Sequence, residues 1–337
     1  MKTVAVIGLG NIATRHRRNL KLLFPQCRLL AMSASGRVPA DPVSDCDEVV
    51  SGVDEIIRSG AELVIVASPA PFHAEHTIPL LQAGIPTLIE KPVTTRVEDV
   101  QHLQTVVDKT QTPVAVGYCL RYLPSSLEVK ALLDKGAIGE LYNAYIEIGQ
   151  YLPDWRPSKD YRSSVSANAE LGGGALLELS HELDYAQWLL GDLTLQHAYL
   201  RSSDELSLEV EDLADIVTTT KSGALVNIHL DFLQRQAYRR CRFVGSEGTI
   251  EWDLIKNEVI HASSTGQKVV YSEQSWDKNQ MYLNMLKGFI LSFDDNDQSK
   301  RPNNDLPRLD ISNRDSFCLA SLSEASKTVK LITQIKG

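Results

Sequence analysis

TVAVIGLGNIATRHRRNL, residues Thr3 to Leu20, opens with the apolar run Val4 to Ile7, breaks at Gly8-Leu9-Gly10-Asn11-Ile12-Ala13 and continues into a helix-compatible segment. A short apolar run bounded by a turn signal reads as a buried parallel strand. The residue types in the break suit a pyrophosphate. Gly8 permits a tight turn, Gly10 lets the backbone approach phosphate with no Cβ in the way, and the small Ala13 lets helix and strand pack closely. Phosphate charge then lies at the positive end of the helix, which makes Asn11 and Ile12 candidate cofactor contacts too. A glycine pattern alone is a weak signal; its place between a strand and a helix makes this one a dinucleotide site.

The chain has 337 residues, long for one core, and reads as a dinucleotide-binding domain over 1–119 and a second domain over 120–337. Its 43% apolar and 23% charged residues are average for a soluble protein. A net charge of −9 argues against nucleic acid or an anionic membrane surface as the main partner. Polar and basic residues follow the first strand directly, so no signal peptide is read, and no window reaches the roughly 20 apolar residues of a membrane span. The five cysteines, Cys27, Cys46, Cys119, Cys241 and Cys318, are scattered without CxxC spacing, which fits reduced thiols in a cytoplasmic protein. His73 and His76 lack an acidic or thiol partner at motif spacing, so they read as a helix start, and no metal is expected.

Arg28 to Ser33 reads as the second strand, at whose end such domains choose their cofactor. An NAD enzyme usually has a carboxylate there to hold the ribose 2′-hydroxyl; here the residues are Ser33-Ala34-Ser35-Gly36-Arg37. The hydroxyls of Ser33 and Ser35 and the guanidinium of Arg37 form a cradle for a 2′-phosphate, so NADP is expected. The alternative is a solvated turn, with Asp41 reaching the ribose of NAD. Asp45 to Gly60 reads as a surface helix, Glu62 to Ser68 as a central strand and Ala74 to Ala83 as a helix. Pro86 to Pro92 reads as a strand running into Glu90-Lys91, Val97 to Lys109 as a helix and Pro113 to Gly117 as a strand. This alternation is the doubly wound α/β signature. Strand carboxyl ends face the ligand crevice, which places Glu90 and Lys91 near the nicotinamide.

Gly8-x-Gly10-x-x-Ala13, Ser68-Pro69-x-x-x-His73, Glu90-Lys91-Pro92 and Arg121-Tyr122 with Pro124 together resemble the Gfo/Idh/MocA family (glucose–fructose oxidoreductase, inositol dehydrogenase, rhizopine catabolism). The resemblance implies that Ser68, Pro69, His73 and Glu90 lie with the cofactor, that Lys91 sits by both substrate and cofactor, and that Arg121 meets substrate. Two departures stand out: Ala70 where the family often has Asn, and Cys119 where Asn often precedes the Arg.

In the second half, Leu127 to Lys135 reads as a helix and Gly139 onward as a long alternating strand. Gln150 to Glu170 is polar and irregular, long enough to be functional. Its pairs Trp155-Arg156 and Tyr161-Arg162 suit a polyhydroxylated or carboxylated ligand, by stacking and by guanidinium hydrogen bonds, which makes Trp155, Arg156 and Tyr161 candidate substrate contacts. The loop reads equally as a surface lid or dimer contact. Gly172-Gly173-Gly174 then precedes the stretch Ala175 to Gly191, whose helical part puts His181, Asp184 and Trp188 on one face. On pattern alone His181 is a satisfied core residue. The resemblance implies instead that this is the family's second signature, whose His is catalytic; the Asp usually four residues earlier is Leu177 here, and Glu178 is the candidate to fill its place.

Alternating segments Leu195 to Arg201, Leu213 to Lys221, Ala224 to Phe232, Arg239 to Val244 and Gly248 to Trp252, with a hairpin signal at Ser222-Gly223, indicate a large, mostly antiparallel sheet in an α+β domain. In the resembled family such a sheet forms the substrate domain and often an oligomer interface, so a homodimer or homotetramer is expected. Asp294 to Pro307 is a turn-rich connection, and a final helix over Asn313 to Ile335, packing through Phe317, Leu319, Ala320 and Leu322, is expected to return to the nucleotide domain. The expected activity is hydride transfer between a nicotinamide and a sugar, sugar derivative or cyclitol. A base for the hydroxyl proton (His181) and a hydrogen-bond donor to the same oxygen (Lys91) carry the chemistry. The alternatives are a reductase of a non-sugar carbonyl compound and a non-catalytic NADP-binding regulator.

Overall fold

The computed structural model describes residues 1–155, 157–293 and 318–337. Contacts divide the chain into two units: Met1–Cys119 with Asn279–Ser326, and Leu120–Lys278 with Lys327–Gly337.

In the first unit, strands β1 (Thr3–Ile7), β2 (Arg28–Met32), β3 (Glu48–Val50), β4 (Leu63–Val66), β5 (Thr87–Ile89) and β6 (Val114–Val116) form a parallel sheet. Their order is β3-β2-β1-β4-β5-β6, with helices α1 (Asn11–Leu23), α2 (Val53–Arg58), α3 (His73–Gln82) and α4 (Val97–Thr110) between them. The order reverses between β1 and β4, where open α/β sheets hold ligands. Val4 to Ile7 and Leu63 to Val66 are fully buried, as continuous apolar runs are when a strand is covered on both faces. The expected surface helix over Asp45 to Gly60 is corrected. Val49 and Val50 pair with Ala31 and Met32 as an edge strand, and only after Gly52, in extended conformation, does α2 begin. Two adjacent β-branched residues beside an open edge favoured pairing over helix.

The second unit holds an eight-stranded sheet: β7 (Leu141–Gly149), β8 (Leu193–Arg201), β9 (Leu213–Thr220), β10 (Leu225–Asp231), β11 (Tyr238–Gly245), β12 (Gly248–Asp253), β13 (Glu258–Ser263) and β14 (Gly266–Ser272). The order is β14-β13-β12-β11-β7-β10-β9-β8; β7 and β10 run parallel and the other neighbours antiparallel. Helices α5 (Pro124–Asp134), α6 (Ala175–Glu178) and α7 (His181–Leu190) pack against it. The sheet's alternation aligns Ile216, Ile228, Ile146, Cys241, Trp252 and Val259 in one buried row. The Trp252 indole donates to Ser125 Oγ at 2.8 Å, which satisfies its polar end. The stretch Ala175 to Gly191 divides into the two helices α6 and α7. At Leu179-Ser180 the chain tightens to an i→i+3 bond, Glu182 N–H to the Leu179 carbonyl at 3.2 Å, and a new helix starts at His181.

Two later helices complete the description. α8 (Asn279–Phe293) belongs to the first unit, where the side-chain amides of Asn19 and Asn279 exchange hydrogen bonds. By its contacts the chain thus rejoins the first unit at Asn279. α9 (Leu322–Lys336) starts at Leu322; Phe317, with the rest of 313–317, and the Asp294 to Pro307 connection lie outside the described residues. Just before it, Ala320 bridges to Val116 of β6. From Lys327 on, α9 groups with the second unit, and Gln187 donates to Thr328 Oγ1 at 3.1 Å. Among the described residues no helix is long and apolar enough to cross a membrane, and no group of three or more acidic, His or Cys side chains is placed to hold a metal ion.

Candidate functional site

The glycine turn has the shape a pyrophosphate requires. Gly8 lies at φ +119°, and a Cβ there would sit 2.2 Å from the Ala67 carbonyl oxygen. A side chain is excluded by both the backbone angle and the close approach of the β4 end. Gly10 caps α1 with nothing within 4 Å of where its Cβ would lie, and no side chain caps the helix. The first N–H groups, around Asn11 and Ile12, therefore remain available to an anion. Ala13 is fully buried against the sheet. Beneath the turn, Arg17 is buried and donates to the carbonyls of Gly8 (3.3 Å) and Ser44 (2.8 Å) and to Thr14 Oγ1 (2.9 Å). These residues fit a dinucleotide phosphate.

At the end of β2, Ser33 Oγ donates to the Arg37 carbonyl at 2.7 Å, so its proton is committed within the turn. Ser35, Arg37 and Asp41 are exposed. The turn is tied down by His76, which lies 3.2 Å from the Ala34 carbonyl through Nε2 and 3.0 Å from Ser68 Oγ through Nδ1. Burial lowers its pKa below the ordinary histidine value, which favours the neutral ring that such a bridge needs.

The ends of β4 and β5 are locked by a second histidine. His73 is buried, with Nε2 2.7 Å from the Ser68 carbonyl and Nδ1 3.0 and 3.2 Å from the Pro92 and Val93 carbonyls. His73, expected as a cofactor residue through its motif, is thus placed inside the fold, clamping the Ser68-Pro69 bend to the segment after Lys91. Glu90 is buried as well, and its Oε1 lies 2.6 Å from His16 Nε2. Burial works against its charge, but the hydrogen bond from His16 and the nearby Lys91 hold its pKa below the usual carboxylate value. Lys91 follows, partly buried, before a cis Pro92.

In the second unit, Arg121 is 2% exposed and bonded bidentately to Asp184, Nε to Oδ2 at 2.9 Å and Nη2 to Oδ1 at 2.7 Å, with its guanidinium carbon 5.7 Å from the Trp188 ring centroid. The structure therefore sets Arg121 to hold α7 in place. A like pair, Arg239 with Glu182, anchors the same helix to β11. His181 is the first residue of α7 and partly buried; Glu178 ends α6, also partly buried, and Leu177 is buried in the core. The glycine triplet is explained by the loop before it. Gly173 and Gly174 donate to the Asn168 and Ser166 carbonyls at 2.8 and 3.0 Å, and a Cβ on Gly173 would lie 2.5 Å from the Val165 carbonyl oxygen. That loop folds into 3₁₀ turns around a pocket of about 240 Å³ lined by Leu152, Trp155, Lys159, Tyr161 and Ser164 among others. Trp155 and Tyr161 are brought together there; Trp155 packs edge-on to Phe232 and Tyr161 donates to the Leu206 carbonyl at 3.1 Å. Arg156 lies outside the described residues.

His16 and Arg17 escaped the sequence reading, and His76 reads there only as part of a helix start. The signal existed for the first two: Ala13, His16, Arg17, Leu20 and Leu23 repeat at helical spacing on the buried stripe of α1, so two polar residues stand where core residues belong. Their partners lie far along the chain, and spacing does not reveal them.

Two family models match the chain: "Oxidoreductase family, NAD-binding Rossmann fold" over residues 2–118 and "GFO/IDH/MocA C-terminal domain" over residues 126–251. Inositol 2-dehydrogenase 1 of Saccharopolyspora erythraea is 28% identical over 298 residues, 85% of this chain and 84% of that protein. Among solved structures, an inositol dehydrogenase homolog complexed with NAD+ from Azotobacter vinelandii superposes with a TM-score of 0.79 at 14% identity, covering 99% of this chain and 94% of the other. The WlbA dehydrogenase from Bordetella pertussis, in complex with NADH and UDP-GlcNAcA, gives 0.74 at 18% identity over 100% and 96%. At these identities the solved structures establish the fold.

Proposed function

The chain belongs to the Gfo/Idh/MocA family of NAD-binding Rossmann oxidoreductases, and from that premise we propose that it transfers a hydride between NADP, in preference to NAD, and a secondary alcohol or ketone of a sugar, sugar derivative or cyclitol. The observation that carries the reading is the uncapped start of α1 beneath the open Gly10, in the same unit as the strand end bearing Lys91. The relative from Saccharopolyspora erythraea, an inositol 2-dehydrogenase, supports a polyhydroxylated substrate. The two solved relatives hold NAD+ and NADH; the preference for NADP rests on this chain's own Ser35 and Arg37, exposed at a β2 end that lacks an adjacent carboxylate.

A bound nicotinamide supplies the hydride chemistry. His181 takes the hydroxyl proton in oxidation and returns it in reduction, a role suited to an imidazole near neutral pH. Lys91 hydrogen-bonds the same oxygen and stabilises charge developing on it. Trp155 and Tyr161 contact the polyhydroxylated body of the substrate, and Glu178 serves as the carboxylate beside His181. Copies associate through the open face of the second sheet. That face carries Glu147, Arg240, Arg242, Glu251, Asp253 and Glu258 around a cleft of about 370 Å³, a mixture of signs able to complement itself.

Fluorescence titration of the purified protein with NADPH and, separately, NADH tests the reading, followed by a panel of sugars and cyclitols with the preferred cofactor. NADPH is expected to bind more tightly, and Arg37→Ala to weaken NADPH by at least about tenfold while leaving NADH within about twofold. Equal effects on both cofactors refute the role of Arg37, and binding of neither refutes the dehydrogenase.

A further inference from the structure

His16 and Glu90 lie 74 positions apart, yet their buried side chains meet at 2.6 Å. Among the described residues His16 Nδ1 is buried with no hydrogen-bond partner, and the ring's polar contact is made through Nε2. Glu90 is held on every side. Its Oε2 accepts the backbone N–H of Lys91 at 3.1 Å and its own N–H donates to the Val66 carbonyl at 2.8 Å. A Cβ on Gly117 would lie 3.1 to 3.2 Å from its three carboxyl atoms, so glycine there leaves the carboxylate its room. Tyr282 of α8 closes the ring side, edge-on to His16 at 6.1 Å between centroids. On the other flank of Lys91, His73 fixes the carbonyls of Pro92 and Val93.

A buried carboxylate with its hydrogen-bond partner is seldom the most stable packing, since apolar side chains of similar volume do as well or better. What the carboxylate adds here, and an apolar side chain would not, is an acceptor for the Lys91 amide. We propose that His16 and Glu90 are a positioning pair, tying the backbone of Lys91 to helix α1 so that the helix receiving the pyrophosphate also sets the residue acting on the substrate oxygen. This rests on the reading of Lys91 given above. His16 touches neither substrate nor cofactor in this scheme; it acts through Glu90.

Three full-length variants test it. His16→Gln keeps a donor where Nε2 stands; His16→Phe keeps the ring and loses the donor; His16→Asn, too short to reach Glu90, replaces the Phe variant if that fails to fold. Amide exchange at Lys91, read by NMR without cofactor or substrate, is expected to accelerate at least about tenfold in the Phe or Asn variant and to stay within about threefold of wild type in the Gln variant. With the sugar or cyclitol that the wild type turns over fastest, kcat is expected to fall about 10- to 100-fold in the Phe or Asn variant. The primary isotope effect of the C-deuterated alcohol should rise and NADPH affinity stay within about twofold, with the Gln variant restoring kcat. Unchanged Lys91 exchange overturns the pair's role, as does a kcat loss that Gln does not repair or that comes with no change in isotope effect. A wild type that binds neither NADPH nor NADH overturns the dehydrogenase reading instead, and Lys91 exchange then decides the anchor alone.

Discussion

Gly8 and His181 are single residues with separable consequences. Replacing Gly8 with Ala puts a methyl into the Ala67 carbonyl at a backbone angle that L residues rarely adopt. A loss of at least about 2 kcal/mol in urea denaturation is expected, together with loss of NADPH binding in the fluorescence titration. The two losses arise from one displacement, because the turn that clashes is the turn that meets the phosphates. His181→Ala truncates a residue that is only partly buried at the start of α7. Turnover is expected to fall by about 10² to 10⁴, the range of a lost general acid–base, with NADPH affinity within about twofold of wild type. Near-normal turnover refutes the assignment of the proton to His181.

At the scale of the element, β10 carries a charge cluster beside the 3₁₀ turns. His229 lies 2.6 Å from Asp215 of β9 and 2.9 Å from Asp231, with Glu147 of β7 in register across from it. Asp231 also accepts from the backbone N–H groups of Leu233 and Gln234, closing the turn whose Phe232 carbonyl receives the Leu152 N–H. The hydrogen bond to Asp231, aided by the one to Asp215, raises the His229 pKa to about 9 against the cost of burial. The folded state therefore binds this proton more tightly than the unfolded chain. The resulting stability is fully present below about pH 6.5 and disappears as pH rises through about 9. His229→Gln is expected to cost about 1–2 kcal/mol in urea denaturation at pH 6 and little at pH 10, the discount from the full shift reflecting partial solvent screening. An equal cost at both values rules out the ionised pair as its source.

For the whole molecule, the open face of the second sheet sets the expectation. Arg242 lies with its guanidinium 4.7 Å from the Tyr145 ring centroid, and Arg240 is 2.9 Å from Asp253. Opposite charges at such spacing allow one copy to meet another in a two-fold arrangement. Light scattering is expected to give the mass of two or four copies, and Arg242→Glu to shift it toward one while cofactor binding persists. A wild type that scatters as a single copy at micromolar concentration removes the sheet as an interface.

Most strands of the two sheets and the glycine turn are legible in the sequence, because these are written in local periodicity. β-branched runs alternating with helices, Gly8 and Gly10 between a strand and a helix, and strands of period two joined at Ser222-Gly223 need no distant partner to be read. Tertiary structure alone decided what distant residues do to one another. It made Val49 and Val50 an edge strand because β2 offered them hydrogen bonds, and drew α8 into the first unit beside Asn19. It placed Arg121 on Asp184, 63 positions away, and Glu90 on His16. Polar side chains on the buried stripe of α1 announced in the sequence that they would be buried. Which group satisfies a buried polar atom depends on chain segments brought together from afar, and only the fold supplies that.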